Sequence, residues 1–403
     1  MFNKFRFNIF AMSNYNANIW KMYIFKFMSS FHLIGAVMVP FFTEWGNISF
    51  SQIMILQSWF MLWMFILEIP TGTVADFIGR KQSLVLGAMV TAIAALVYIS
   101  SPNFYIFLLA EFLWAVGGAL VSGADEAFTY DTLKKLGKTS ISKKIFGRID
   151  SLHLTGIMIA APIGSVVAAN FGLTAPMMLT AVPISIAALI GLTFKEPKVT
   201  RKIESKRYLL ILKEGMKYFY KSKVLKILAL DMIVIATISY YMIWLYQPML
   251  KGAGVDIMYF GIVHSAFVAS QILIMNYNIK LEKLLGSKRR LIFLSALITG
   301  IMFIVGGLTN MLPLVLLSII VGGGFGLSRK PLFASYINKH IPSSKRATVL
   351  STIYMLRQFA IAVVNPIVGL AVEWSLGNTL IILGVIAVIF SFISRIEEKH
   401  LLD

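Results

Sequence analysis

Glu111, Trp114, Gly118, Ser122, Asp125 and Thr129 recur at intervals of three and four residues. On a helix this spacing lays them along one face, giving a single wall two carboxyls, two hydroxyls and an indole. The chemistry open to such a wall is proton exchange, because a carboxyl withdrawn from water can titrate where it trades protons with its surroundings. Glu111 is the candidate carrier of a coupling proton, and His32 is its candidate titratable partner. A packing role competes with this one: Glu111 would hydrogen-bond a neighbouring helix, and His32 would be an interhelical donor.

Asp231 and Arg357 are opposite charges set in apolar surroundings. They would pair for stability, since an unpartnered charge at depth is costly; alternatively Arg357 stays free, with Lys26, to bind an anionic substrate. Tyr240, Tyr241, Trp244 and Tyr246 precede Gln247-Pro248 and offer stacking and cation–π contact to an aromatic or cationic ligand. An aromatic belt at a membrane surface is the competing reading, with Tyr240 and Tyr241 the deeper pair. Lys26, Trp114, Ser122, Tyr240, Tyr241 and Arg357 are thus the candidate lining of a cavity for a small-molecule substrate. No Walker-type phosphate loop, nucleotide domain or metal-spaced cluster occurs in the sequence, so no cofactor, no metal and no enzyme activity are expected.

The elements that must hold these residues follow from composition. Of 403 residues, 58% are hydrophobic and only 14% charged, and the mean hydropathy is +0.79. The chain therefore reads as an all-α integral membrane protein. Its apolar runs place spans 1 to 12 at 18–42, 50–72, 83–101, 103–125, 149–169, 174–194, 224–250, 256–279, 291–309, 312–332, 347–371 and 377–394. Runs of this length exclude the shorter alternating strands of an outer-membrane barrel. Span 1 carries Lys21 and Lys26 and has no small-residue cleavage site behind it, so it is expected to be retained. With no cysteine, disulfide and thiol chemistry fall away.

Charge then orients the spans. Of the 37 Lys and Arg residues, all but Lys251 and Arg357 lie in the tails or in connections 2–3, 4–5, 6–7, 8–9 and 10–11 with their adjoining turns. The positive-inside rule places both termini and these connections in the cytoplasm, with the cell membrane as the expected location. The net charge of +19 is then topological, and points to anionic lipid headgroups on that face and not to nucleic acid. Residues 195–223 read as a basic linker with an amphipathic surface helix near Tyr208–Tyr220, between an N-terminal bundle, 1–194, and a C-terminal bundle, 224–403. The halves look like copies: Gly117 and Gly322, Pro162 and Pro366, and Gly79 and Gly286 all share an offset of about 205 residues. Spans 3, 6, 9 and 12 hold no Asp, Glu, Lys, Arg or His, so every third helix is expected to face lipid.

Between spans 2 and 3, Gly72-Thr-Val-Ala-Asp76-Phe-Ile-Gly79-Arg80-Lys81 resembles the loop signature of the major facilitator superfamily of membrane transporters. The resemblance covers residues 18 to 394. It implies a monomer of two pseudo-symmetric six-helix bundles that rock about a central site, helices 1, 4, 7 and 10 lining the cavity and 2, 5, 8 and 11 forming the interface. It also implies a conformational latch made of Gly72, Asp76, Gly79, Arg80 and Lys81, although Phe77 stands where a basic residue is usual. The segment around Glu111 is similar to a helix-4 pattern of proton-coupled members, with Glu111 and Trp114 in place of the usual Arg and Gln. Ala161-Pro162 is similar to an antiporter signature, with alanine for the usual glycine.

Asp125 and Glu126 end span 4, and Arg329 and Lys330 end span 10 at repeat-equivalent places. They are expected to bridge the bundles and close the cytoplasmic side in the outward-open state. The resulting expectation is an alternating-access secondary transporter, an antiporter driving proton-coupled efflux of an amphipathic or drug-like molecule. Proton-coupled uptake of a small anionic nutrient, and a non-transporting receptor or lipid-moving protein on the same fold, are the alternatives.

Overall fold

A backbone in lipid must satisfy its own hydrogen bonds, and the apolar runs do so as helices. The computed structural model describes residues 15–197, 205–342 and 345–401, without the side chains of residues 69, 72, 73, 76, 205–212 and 347. Among the described residues, eleven helices are long and apolar enough to cross a membrane: α2 (Phe50–Ile78), α3 (Arg80–Tyr98), α4 (Phe104–Lys135), α5 (Ser142–Phe171), α6 (Thr174–Leu192), α7 (Lys223–Gly252), α8 (Phe260–Leu285), α9 (Lys288–Leu308), α10 (Leu312–Lys339), α11 (Arg346–Trp374) and α12 (Leu376–Ile393). The first crossing, α1, is a pair of helical pieces, Tyr15–Ala36 and Met38–Trp45, bent by 63°. The first span read from hydropathy, 18–42, is thus one crossing made of two pieces: the backbone leaves the helix near His32, whose φ and ψ of −88° and 98° are extended.

The helices form two pseudo-symmetric six-helix bundles. In the first, α3 packs on α4 and α6, α2 on α4, and α1 on α5 and α6; in the second, α9 packs on α12, and α7 and α8 on α10. The bundles meet along α2 with α11 and along α5 with α8, the interface helices anticipated above. Apolar rows of the uncharged helices are exposed, as at Met89, Ile93 and Leu96 on α3 and Ile382, Ile386 and Ile389 on α12. In water such rows would be unfavourable; in hydrocarbon they are neutral to their neighbours.

The repeat is visible in detail at the basic end of each bundle. Gly79 (φ +107°) turns the chain from α2 into α3, and Gly286 (φ +66°) turns it from α8 into α9, a region of backbone space that disfavours any side chain. Each turn exposes the first amides of the next helix, which need acceptors. Glu196, just past α6, accepts from the amides of Arg80 and Lys81 at 3.0 and 2.7 Å. Glu398, just past α12, accepts from the Ser287 hydroxyl and the amides of Lys288 and Arg289 at 2.6, 2.9 and 3.0 Å.

The linker contains a helix, Ser205–Lys221. Gly215 lies against Thr348 of α11, the Tyr218 hydroxyl donates to the His340 carbonyl at 3.0 Å, and Phe219 is buried. It is docked on the second bundle as well as amphipathic.

Candidate functional site

The break in α1 decides how one end of the molecule is sealed. Leu33 sits so close to Gly164 of α5 that a Cβ there would overlap its carbonyl. That approach carries the unwound turn toward the second bundle, where its freed carbonyls find donors. Gln247 of α7 donates to Gly35 O at 3.2 Å and accepts from Val39 N at 2.8 Å, while the Tyr246 hydroxyl reaches Ala36 O at 3.3 Å. Around them Lys251 pairs with Glu44 at 2.7 Å, Ser165 donates to Met258 O at 2.8 Å, and Glu373 accepts from Ser51 N at 2.7 Å. All of these join the two bundles at the end opposite the basic loops. Tyr246, from the aromatic run of α7, belongs to this seal.

Below the seal, Glu111 is 5% exposed. Its carboxylate accepts from Gln57 of α2 at 2.7 Å and hydrogen-bonds the Tyr98 hydroxyl. It has no ion pair among the described residues. His32 does not meet Glu111: its ring bonds the Ser29 carbonyl at 2.8 Å and stands edge-on to Trp114, 5.3 Å between centroids. Trp114 in turn stands 6.0 Å from Tyr98. The expected pair is therefore joined through Trp114 and Tyr98. Gln57 and Tyr98 were not singled out in the sequence, where nothing marks a lone Gln or Tyr as a carboxyl partner.

Tyr240 of α7 is buried and lies within electrostatic reach of both Glu111 in the other bundle and Arg357 in its own. Tyr241 is different: its hydroxyl donates to Asn365 at 3.1 Å inside the second bundle, and its ring is fully buried. Of the two, Tyr240 is the one within electrostatic reach of charges in both bundles.

Toward the basic end, charged side chains from both bundles occupy one level. Counting at 1.5 Å per residue from the basic ends of their helices, Lys26, Glu126, Asp150, Lys330 and Arg357 all lie about 12–17 Å in. Lys26 pairs with Asp125 at 2.7 Å, and His153 bonds Ser30 at 2.6 Å beside it. Ser122, Glu126 and Asp150 of the first bundle and Lys330 and Tyr354 of the second are exposed, yet Lys330 interacts electrostatically with Asp150 and Glu126 across the gap. Exposed charges that face each other at this depth line a water-filled cavity, because lipid would not tolerate them. The protein is thus open at the basic end and sealed at the other.

Two expected contacts are corrected. Asp231 does not pair with Arg357; it pairs with Arg329 of α10 and also accepts from Ser394 at 2.6 Å. Arg329 further donates to Ile292 O at 2.6 Å and to the Ser295 hydroxyl, and is 3% exposed. It points into its own bundle, which removes it from the expected inter-bundle gate. Asp125 is taken by Lys26. Glu126 and Lys330 remain facing each other unbridged, as the remaining half of that gate.

In the loop signature, Arg80 pairs with Asp131 and donates to Ala127 O at 2.7 Å, which anchors it to the end of α4. Gly72 and Asp76 fall in α2, but their side chains lie outside the described residues. Phe77 is 81% exposed. Asp150, His153 and Tyr354 are cavity residues that the sequence reading missed; Asp150 sits among the first residues of the apolar run 149–169, where an acid reads as an ordinary helix end.

Comparison with known proteins follows this geometry. The family model described as Major Facilitator Superfamily matches residues 19–365. A curated "Glucose/galactose transporter" of Brucella abortus is 24% identical over 244 residues, 57% of this chain and 58% of that protein. The chain thus spans a little over half the length of the curated relatives it matches. An "Uncharacterized transporter" of Buchnera aphidicola is 25% identical over 159 residues, 40% of this chain and 37% of that protein. Among solved structures, the nucleoside transporter NupG superposes with a TM-score of 0.75 at 15% identity, over 93% of this chain and 97% of that one. A D-xylose-proton symporter superposes with a TM-score of 0.73 at 14% identity, over 95% and 98%.

Proposed function

Because the chain belongs to the Major Facilitator Superfamily and is a secondary transporter of that type, we propose that it takes up a small polar organic solute by alternating access, in symport with a proton carried by Glu111. The basic end is cytoplasmic in this reading, and the structure is its inward-open state. The observation that carries the reading is the placement of Glu111: a buried carboxyl with only neutral partners, Gln57 and Tyr98, separate from the charged cavity, with Tyr240 within electrostatic reach of both Glu111 and Arg357. Symport requires proton and solute to be held at the same time, which needs separate positions. Antiport by competition needs a shared one, and Glu111 is set apart. The polar, charged cavity also favours a hydrophilic solute over the amphipathic cargo of an exporter, and the likeness to a sugar transporter at 24% identity agrees with that.

The test is transport in proteoliposomes. A panel of hydrophilic solutes is offered with the basic-end compartment alkaline, and the Glu111→Gln variant is compared. The variant is expected to lose accumulation driven by the pH gradient while keeping solute exchange at equal pH. Gradient-driven accumulation equal to that of the parent protein would overturn the role of Glu111, and outward movement of the solute against an inward proton gradient would overturn symport.

A further inference from the structure

The six charges of Lys26, Asp125, Glu126, Asp150, Lys330 and Arg357 are not mixed at random. The first bundle contributes Lys26 with its partner Asp125, and then Glu126 and Asp150, which form no ion pair within 4.0 Å with any described residue. The second bundle contributes Lys330 and Arg357, which are neighbours of like charge and also form no ion pair there. Lys26 and Asp125 cancel. Apart from Glu68 of α2, which accepts from the Ser351 hydroxyl of α11 at 3.4 Å, what remains is two negative charges on one wall and two positive charges on the other.

Arg357 carries the argument further. Its Nε is buried without a hydrogen-bond partner among the described residues, and its electrostatic neighbours besides Lys330 are the neutral hydroxyls of Tyr354 and Tyr240. A guanidinium offers five donors in a planar fork that matches a carboxylate or phosphate. Leaving Arg357 beside Lys330 without an ion pair of its own is unfavourable, and a protein that wanted only stability would pair it, as it pairs Arg329, the residue before Lys330, with Asp231. An anion arriving in the cavity would neutralise both. The carboxylates of Glu126 and Asp150 on the facing wall present the complementary demand for a cation.

We propose that the solute of the preceding section is zwitterionic: its carboxylate or other anionic group is held by Arg357 and Lys330, and its ammonium group by Asp150 and Glu126. The ligand thereby bridges the two bundles, each of its charged ends satisfying the wall of opposite sign. In the empty protein the same walls can close on themselves, Lys330 against Glu126 and Asp150, which returns the unloaded carrier. This assignment rests on the reading of the chain as a solute transporter, but it is tested by binding alone and needs no proton gradient.

Thermal unfolding of the purified protein in nanodiscs is followed with the common L-amino acids, singly, and with 4-aminobutyrate and 6-aminohexanoate. Galactose and uridine serve as neutral controls and hexanoate as the anion without an ammonium group. At least one zwitterion is expected to raise the unfolding temperature where the controls do not. Arg357→Gln and Lys330→Gln are each expected to weaken its binding by about tenfold or more, and Asp150→Asn likewise. Arg357→Lys keeps the charge and should retain part of the affinity, which separates loss of the site from loss of the fold; the unfolding temperature without ligand reports the latter directly. No shift with any zwitterion, an equal shift with galactose, uridine or hexanoate, or zwitterion binding unchanged in Arg357→Gln and Lys330→Gln would each overturn the assignment. Those outcomes leave the proton role of Glu111 standing or falling on its own transport test.

Discussion

Removing Arg329 isolates what the buried Asp231–Arg329 pair contributes. In Arg329→Gln, Asp231 keeps only the Ser394 hydroxyl, and the Ile292 carbonyl and Ser295 hydroxyl lose their guanidinium donor. An acid left uncompensated in a site where both partners are 3% exposed costs about 3–5 kcal/mol. Asp231→Asn strands the guanidinium by the same logic and is expected in the same range. Replacing both with apolar residues of similar size, Asp231→Leu with Arg329→Met, removes the desolvation cost along with the attraction and is expected to be neutral or stabilising by about 1–4 kcal/mol. The assay is a double-mutant cycle on unfolding in mixed detergent micelles, where the coupling is the departure from additivity. Single variants that each cost less than about 1 kcal/mol, or a double variant as unstable as the sum of the singles, would refute the reasoning. Arg357→Gln is the internal control: Arg357 forms no ion pair with a described residue, so its loss should not destabilise the fold.

Gln247→Ala removes two bonds across the sealed end, to Val39 N and Gly35 O, each with a net contribution of about 0.5–1.5 kcal/mol. Spin-label distances between the bundles should shift toward opening at that end, and an unchanged distribution would count against the seal. At Gly79, φ is +107°; Gly79→Ala is expected to cost about 1–3 kcal/mol in backbone strain, read as a lower unfolding temperature. Around Glu398, partial burial opposes ionisation, but hydrogen bonds from Ser287, Arg289 and Lys288 and the Lys288 charge outweigh it and hold the carboxyl below its ordinary value. A folded-state pKa that is depressed gives stability present above the unfolded value, near 4.5, and lost as pH falls through the folded one. Hydrogen exchange at the Lys288 and Arg289 amides should therefore gain protection loss at acid pH beyond the intrinsic trend; Glu398→Gln should show it at neutral pH. Identical protection in parent and variant at neutral pH would refute the capping role.

Hydropathy made the twelve crossings legible, and the confinement of Lys and Arg to alternate loops made their order on the two faces legible too. The break in α1 escaped because Leu33 to Pro40 is as apolar as a helix; only Gly35 and Pro40 hinted at it, and both are common in membrane helices. The partner of Asp231 escaped for a different reason. Arg329 and Arg357 lie at similar depth on adjacent helices, and depth is what a sequence supplies, whereas the choice between them depends on how far each helix is rotated about its axis. The same holds for His32 and Glu111: matched depth brought them together on paper, and Trp114 stands between them in space. The cavity charges Asp150 and Lys330 face each other only because two bundles are juxtaposed, a relation that no local pattern encodes.

The twin carboxylates past α6 and α12 have a mechanical consequence. Glu196 ties the end of the first bundle to the start of α3, and Glu398 ties the end of the second to the start of α9. Each bundle is thus looped shut upon itself outside the apolar core, where a trailing segment would otherwise fray. A push delivered by a ligand on one cavity wall cannot be dissipated by unravelling at those ends. In the proposed cycle it would pass instead to the long seams of α2 with α11 and α5 with α8, so that the two halves would work as stiff levers on a common fulcrum.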